Sequence, residues 1–181
     1  MLKIKTLIVD KPQIISLAKF AVLLALAIAA PLSHQQLITG TIVNAVLFFA
    51  AGILGWPSAV AIGVLPSLFA LTFGTLPKPL AVFIPFIITS NALLILAFHY
   101  FYQQSLKIQS SVKSQALKLT GIVTASFLKF VFLFSFSQLI FSNLANTKPG
   151  QAILLTMSYP QLVTALFGGI IAFIALAIIK R

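Results

Sequence analysis

The chain carries a single acidic residue, Asp10, against twelve lysines and arginines. Carboxylates are the raw material of proton relays, sodium sites and general acid–base pairs. With Asp10 confined to the N-terminal flank, the apolar body of the chain has none of them. Cysteine is absent altogether, which removes disulfides, thiolate metal sites and protein-held iron–sulfur clusters. No Gly-x-x-x-x-Gly-Lys-Ser/Thr loop occurs, so nucleotide is not held in the P-loop manner. No Ser/His/Asp set suggests hydrolysis, and no His/Cys/carboxylate cluster suggests a metal. The expectation is a protein that is not an enzyme and has no cofactor. If it moves a solute uphill, the energy comes from another subunit.

Charge of either sign is scarce: 7% of the 181 residues are charged and 60% are hydrophobic. That excludes an ordinary soluble domain. What fills the chain is a succession of apolar runs, each of about 20 residues and able to cross ~30 Å of hydrocarbon at 1.5 Å per residue. The pattern predicts an all-α, polytopic membrane protein, a single domain over residues 1–181 with six transmembrane helices. They are expected at residues 14–32, 37–54, 58–76, 80–101, 119–141 and 152–179. Pro31 with Ser33-His34-Gln35-Gln36 makes the first break, Gly55-Trp56-Pro57 the second and Pro77-Lys78-Pro79 the third. Polar residues 103–118 form the fourth link, partly helical at the surface, and residues 143–150 the fifth. The small residues Ala27-Ile28-Ala29-Ala30 mimic a signal-peptide cleavage site, but Pro31 and the length of the run favour a retained span.

The net charge of +11 would suit nucleic acid on a soluble protein. Here the basic residues flank apolar spans, so nucleic acid is excluded and membrane lipid is the surrounding partner. With both termini cytoplasmic, Lys3, Lys5, Lys11, Lys19, Lys107, Lys113, Lys118, Lys180 and Arg181 lie inside. Only Lys78 and Lys148 lie outside. This asymmetry fits the positive-inside rule and an even number of spans in the plasma membrane.

The one remaining cation, Lys129, sits in the middle of the fifth span. A bare ammonium at that depth costs about 2.5–3.5 kcal/mol on insertion scales, so it turns inward toward a partner. No acidic side chain in a span can be that partner, which makes an anionic small molecule the candidate. Asn44, Asn91, Tyr159 and Gln161 fall at similar depth, with Thr89, Ser90 and Ser158 close by in sequence. His34, Gln35 and Gln36 lie in the outer loop above. Together they predict a pocket in the outer half of the bundle, with one cation and several amide and hydroxyl groups in apolar walls. Pro66, Pro85 and Pro160 lie inside spans and predict kinks or helix breaks near that cavity. Other readings stay open. Asn44 and Asn91 also suit interhelical hydrogen bonds worth ~0.6–2 kcal/mol. Lys129 also suits the carbonyls of a broken helix, and His34 an interfacial loop. His99 and Trp56 read as aromatic-belt residues.

Ala18, Ala21, Ala25 and Ala29 recur at spacings of three and four on one face of the first span. Small residues admit close approach of another helix, either within the bundle or from a second membrane subunit. Ala165, Gly168, Gly169 and Ala172 in the last span read as internal packing.

With these features the chain resembles the substrate-binding S component of an energy-coupling factor (ECF) transporter. The resemblance rests on six short spans, on Ala21-x-x-x-Ala25-x-x-x-Ala29, and on two segments. These are Leu37-Ile38-Thr39-Gly40-Thr41-Ile42-Val43-Asn44 and Tyr159-Pro160-Gln161-Leu162-Val163-Thr164-Ala165-Leu166-Phe167-Gly168-Gly169. It implies a subunit that captures a vitamin or related micronutrient on the outer side. It also implies docking through the first helix onto a transmembrane coupling subunit driven by two ATPase subunits, with the S component toppling to release its cargo. By position, the alanine face would meet the coupling subunit. The expected function is substrate capture for an ATP-driven importer of a small anionic micronutrient. Lys129 would pair with its carboxylate or phosphate, and Asn44, Asn91, Gln161, Tyr159, His34 and Gln36 would complete the site. The competing expectation is a small structural or assembly membrane protein without a solute, in which Lys129 is locked to carbonyls near Pro66, Pro85 or Pro160.

Overall fold

Apolar stripes with a period near 3.6 residues set the helices and decide which faces meet. The computed structural model describes residues 11–73, 78–142 and 146–179. Lys3, Lys5, Asp10, Lys180 and Arg181 lie outside them, as do Pro77 at the third break and Asn143 at the fifth. Among the described residues the chain is helical throughout, with no strand. Helix α1 (Lys11–Ala29) runs into a 3-10 turn, Ala30–Ser33. Helices α2 (Gln36–Ile53) and α3 (Trp56–Thr72) follow. A second 3-10 turn, Lys78–Phe83, leads into α4 (Ile84–Leu106). The long α5 (Ser111–Phe141), the short α6 (Lys148–Thr156) and α7 (Tyr159–Ile179) complete the bundle. Five segments are long and apolar enough to cross a bilayer, and α3 is a shorter apolar helix.

The breaks follow local chemistry. Pro66 alone lies inside an α-helix; Pro85 falls in the first turn of α4, where its missing N–H costs nothing. The expected sixth span is two helices, α6 and α7, parted at Met157 and Ser158. Pro160 explains the parting, because it cannot donate to the Thr156 carbonyl four residues back. The Gln161 side-chain amide takes over that carbonyl at 3.1 Å. The expected surface link over 103–118 is instead mostly helix, since α4 runs on to Leu106 and α5 begins at Ser111. At 31 residues, α5 is about 46 Å long and exceeds the hydrocarbon thickness. Ser114 ties its first turn to the end of α4 by donating to the Ser105 carbonyl at 2.8 Å.

The helices pack most closely as α4 along α5 and α2 along α7. The second pair meets backbone to backbone at Gly168, where a Cβ would stand 2.7 Å from the Ala45 nitrogen and 2.8 Å from the Thr41 carbonyl oxygen. Ala165, Gly168, Gly169 and Ala172 are buried, as internal packing requires. One core fills the end of the bundle where α2 gives way to α3 and α4 to α5. It includes Leu47, Phe48, Leu94, Phe98 and Tyr102, with Phe48 edge-on to Phe98 at 4.9 Å. A smaller cluster at the opposite end joins Phe83, Leu133, Phe141, Ile153 and Met157. Helix α1 buries Leu23 and Ala27 against the bundle and leaves Ala18, Ala21, Ala25 and Ala29 exposed. The alanine face is therefore not used for packing within this chain.

Candidate binding site

Each polar residue at the centre of the bundle occupies a position where its helix otherwise places a buried hydrophobe. On α5 the inward stripe runs Ile122, Ala125, Lys129, Leu133. On α2 it runs Asn44, Leu47, Phe48, Ala51, and on α4 Asn91, Leu94, Ile95, Phe98. The three stripes converge. Lys129 Nζ donates to Asn44 Oδ1 and to Asn91 Oδ1, each at 2.7 Å. All three residues are buried: Lys129 is 4% exposed, Asn44 1% and Asn91 3%.

The asparagines are themselves held. Asn44 Nδ2 donates to Thr164 Oγ1 on α7 at 3.3 Å, and Thr164 donates to the Gln161 carbonyl at 3.3 Å. Asn91 Nδ2 donates to the Gly63 carbonyl on α3 at 3.1 Å. Gly63 neighbours Ile62, the residue whose carbonyl loses its helical donor to Pro66. Both amides thus spend their oxygen on Lys129 and a donor on the protein. A lysine can only donate, which fixes their orientation.

The cluster forms the floor of a cavity of about 410 Å³. Its rim is the exposed turn carrying His34, Gln35 and Gln36. His34 adopts φ 52, the left-handed region that non-glycine residues seldom enter, and its N–H closes the turn onto the Pro31 carbonyl at 3.1 Å. Between rim and floor stand Thr39, Gly40, Pro66 and Ser67 on one side and Thr156, Met157 and Gln161 on the other. The helix breaks at Ala30–Ser33 and after Thr156 open onto this space.

The structure therefore brings together Lys129, Asn44, Asn91, Gln161, His34 and Gln36. It does not bring Tyr159, which is 66% exposed and absent from the lining. The correction has a simple cause, because residues two apart on a helix do not share a face and Gln161 holds the inward one. Thr89, Ser90 and Ser158 donate to carbonyls of their own helical turns and leave the cavity alone. His99 is more than a belt residue, since its Nδ1 lies 3.2 Å from the Ala51 carbonyl and links α4 to α2. Lys129 bonds two side-chain oxygens rather than the backbone carbonyls of a broken helix. Thr39, Gly40 and Val43 join the wall unforeseen. The spacing Gln36, Gly40, Val43, Asn44 is a single helical face, and that was the signal for them.

Chemically, the floor is one ammonium held by two neutral amides. An ammonium has three donors, and the asparagines take two. Among the described residues no carboxylate balances it, and no group of residues fits a metal ion. One ammonium donor is thus left without a partner among these side chains, at the floor of the cavity.

The description that matches this chain is that of the ECF transporter substrate-specific component, over residues 16–180. No curated protein and no solved structure matches. A match over nearly the whole chain, on a bundle of apolar helices with a cavity at one end, means that the protein belongs to the family of ECF transporter substrate-specific components.

Proposed function

We infer from this membership that the chain is a multi-pass membrane subunit that captures a substrate and works with an ECF module of coupling and ATPase subunits. We propose that it captures a small anionic micronutrient of the vitamin class from outside the cell, in the cavity floored by Lys129. Asn44 and Asn91 position the ammonium, while His34, Gln36 and Gln161 border the path to it. The observation that carries this reading is a buried ammonium, held by two amides and facing a cavity, with no carboxylate beside it. At an effective dielectric of about 20, an anion at about 4 Å from such a charge gains about 4 kcal/mol.

The proposal includes six spans in the plasma membrane with both termini cytoplasmic. The excess of lysine at the predicted inner ends supports that orientation. The cavity then opens outward and ATP hydrolysis by the partner subunits drives release inside. Exposure of Ala18, Ala21, Ala25 and Ala29 supports their use as the face that docks on the coupling subunit.

Two experiments test the reading. Native mass spectrometry of protein purified with its partners is expected to show a bound small anion on the wild type. Lys129→Ala is expected to lose it, with affinity down about 100-fold, and Lys129→Arg to keep part. Cargo retained at full occupancy by Lys129→Ala would refute the anion contact. Ala25→Trp is expected to abolish co-purification of the coupling subunit while leaving cargo in place. Undiminished co-purification would remove the alanine face from the interface.

A further inference from the structure

The chain holds 17 phenylalanines, three tyrosines and one tryptophan, yet among the described residues none of these lines the cavity, whose one aromatic ring is the His34 imidazole at the rim. Its apolar wall is aliphatic: Pro31, Val43, Pro66, Ile87 and Met157. Flat aromatic ligands draw much of their affinity and orientation from stacking on rings, and below the rim imidazole the described walls offer none. An unbranched thioether and aliphatic rings instead suit a flexible aliphatic chain.

Charge narrows the class further. The floor supplies one ammonium, and the rim supplies the Gln35 and Gln36 amides and the His34 imidazole. A monoanion on Lys129 leaves the buried cluster neutral. A phosphate dianion would leave a net negative charge in a site with no second buried cation among the described residues, which is unfavourable in a low dielectric.

The wall hydroxyls show what the rest of the ligand carries. Thr39 Oγ1 donates to the Ala30 carbonyl at 3.1 Å, and Thr156 Oγ1 to the Ala152 carbonyl at 2.7 Å. With the protons on these carbonyls each hydroxyl oxygen is left as an acceptor, and Thr39 Oγ1, which also lies 3.0 Å from Ser33 Oγ, keeps one such position. A ligand that meets them does so with an N–H or O–H of its own.

We propose that the cavity selects an aliphatic monocarboxylate whose far end carries a neutral hydroxyl or amide donor, with the carboxylate on Lys129 Nζ and the donor toward Thr39 and Thr156. This deepens the capture reading and rests on it. The class excludes phosphate esters and aromatic acids as preferred cargo.

The test uses the full chain in lipid nanodiscs and four probes of similar size: ω-hydroxyhexanoate, its methyl ester, ω-hydroxyhexyl phosphate and hydroxyphenylpropanoate. Thermal shift over a concentration series gives each Kd, because a ligand stabilises only the state that binds it. ω-Hydroxyhexanoate is expected to bind about tenfold or more tighter than each of the other three. Its shift is expected to vanish in Lys129→Met. Asn44→Asp supplies the second variant, since a carboxylate beside Lys129 competes with the probe while leaving the ammonium paired. Equal or tighter binding of the phosphate or the aromatic acid overturns the substrate class and leaves anion capture standing. Equal binding of the ester overturns the Lys129 contact and the capture reading with it. No shift with any probe, in protein that still co-purifies with its coupling subunit, overturns the class alone.

Discussion

The two ends of this bundle are built to opposite rules. At the end holding Phe48, Phe98 and Tyr102, only the short turns after α2 and α4 part the helices, and their side chains close into one core. At the other end the chain is cut three times, by the turns Ala30–Ser33 and Lys78–Phe83 and by the gap after Thr156, and Pro66 interrupts α3 nearby. Packed helices leave no backbone group free and no space for a ligand. Interrupted helices expose carbonyls and free volume, tolerable in a membrane only where protein or a cavity receives them. Here Gln161 and Asn91 receive the carbonyls of Thr156 and Gly63. The packed core and the cavity thus lie in different halves of the same helices.

If that division holds, substitutions at the two ends should fail in different ways. The largest effect is expected from Phe98→Ala in the packed end. It should cost about 3–5 kcal/mol of stability by removing a fully buried ring, read as a fall in Tm. Cargo affinity of the protein that remains folded should stay unchanged; a matching loss of affinity would join the two halves into one unit. Asn44→Asp should do the reverse. It gives Lys129 a carboxylate at the position of a 2.7 Å hydrogen bond, and Thr164 can turn its hydroxyl to the new oxygen. Affinity for an anion should drop about 30-fold, by calorimetry, with Tm level or higher. The smallest effect is expected from Gln161→Leu, which strips the Thr156 carbonyl of its donor. It should cost about 1–2 kcal/mol, with a modest weakening of binding. A neutral outcome would mean that the gap between α6 and α7 needs no support.

The sequence made the floor of the site legible and much of its wall illegible, for separable reasons. Lys129 was visible because an uncompensated charge in an apolar run has few fates, and Asn44 and Asn91 because depth can be counted from span ends. That the asparagines hold the lysine instead of facing a ligand was not visible, since pairing depends on rotation about each helix axis. Tyr159 was misplaced by the same limit. The split of the last span was hidden because residues 152–179 stay apolar across it, and Pro160 reads equally as a kink or a start. Gln161 beside that proline was the clue, being the one nearby side chain able to replace the missing N–H. Residues 103–118 read as a partly helical link; how far α4 and α5 run into it was hidden by polarity, which marks departure from the bilayer and not the end of a helix.

The hydrogen bonds of Lys129 reach further than its own surroundings. Through Asn44 they lead to α2 and on to Thr164 of α7; through Asn91 they lead to α4 and on to Gly63 of α3. One nitrogen atom on α5 is in this way wired to four other helices. Any ligand that draws it toward the cavity must stretch at least one of two short bonds, and each is anchored at its far side to a different pair of helices. A group that takes the third donor thus meets a nitrogen anchored on two helix pairs at once, α2 with α7 and α3 with α4, so the floor of the cavity is held by the body of the subunit and not by its loops.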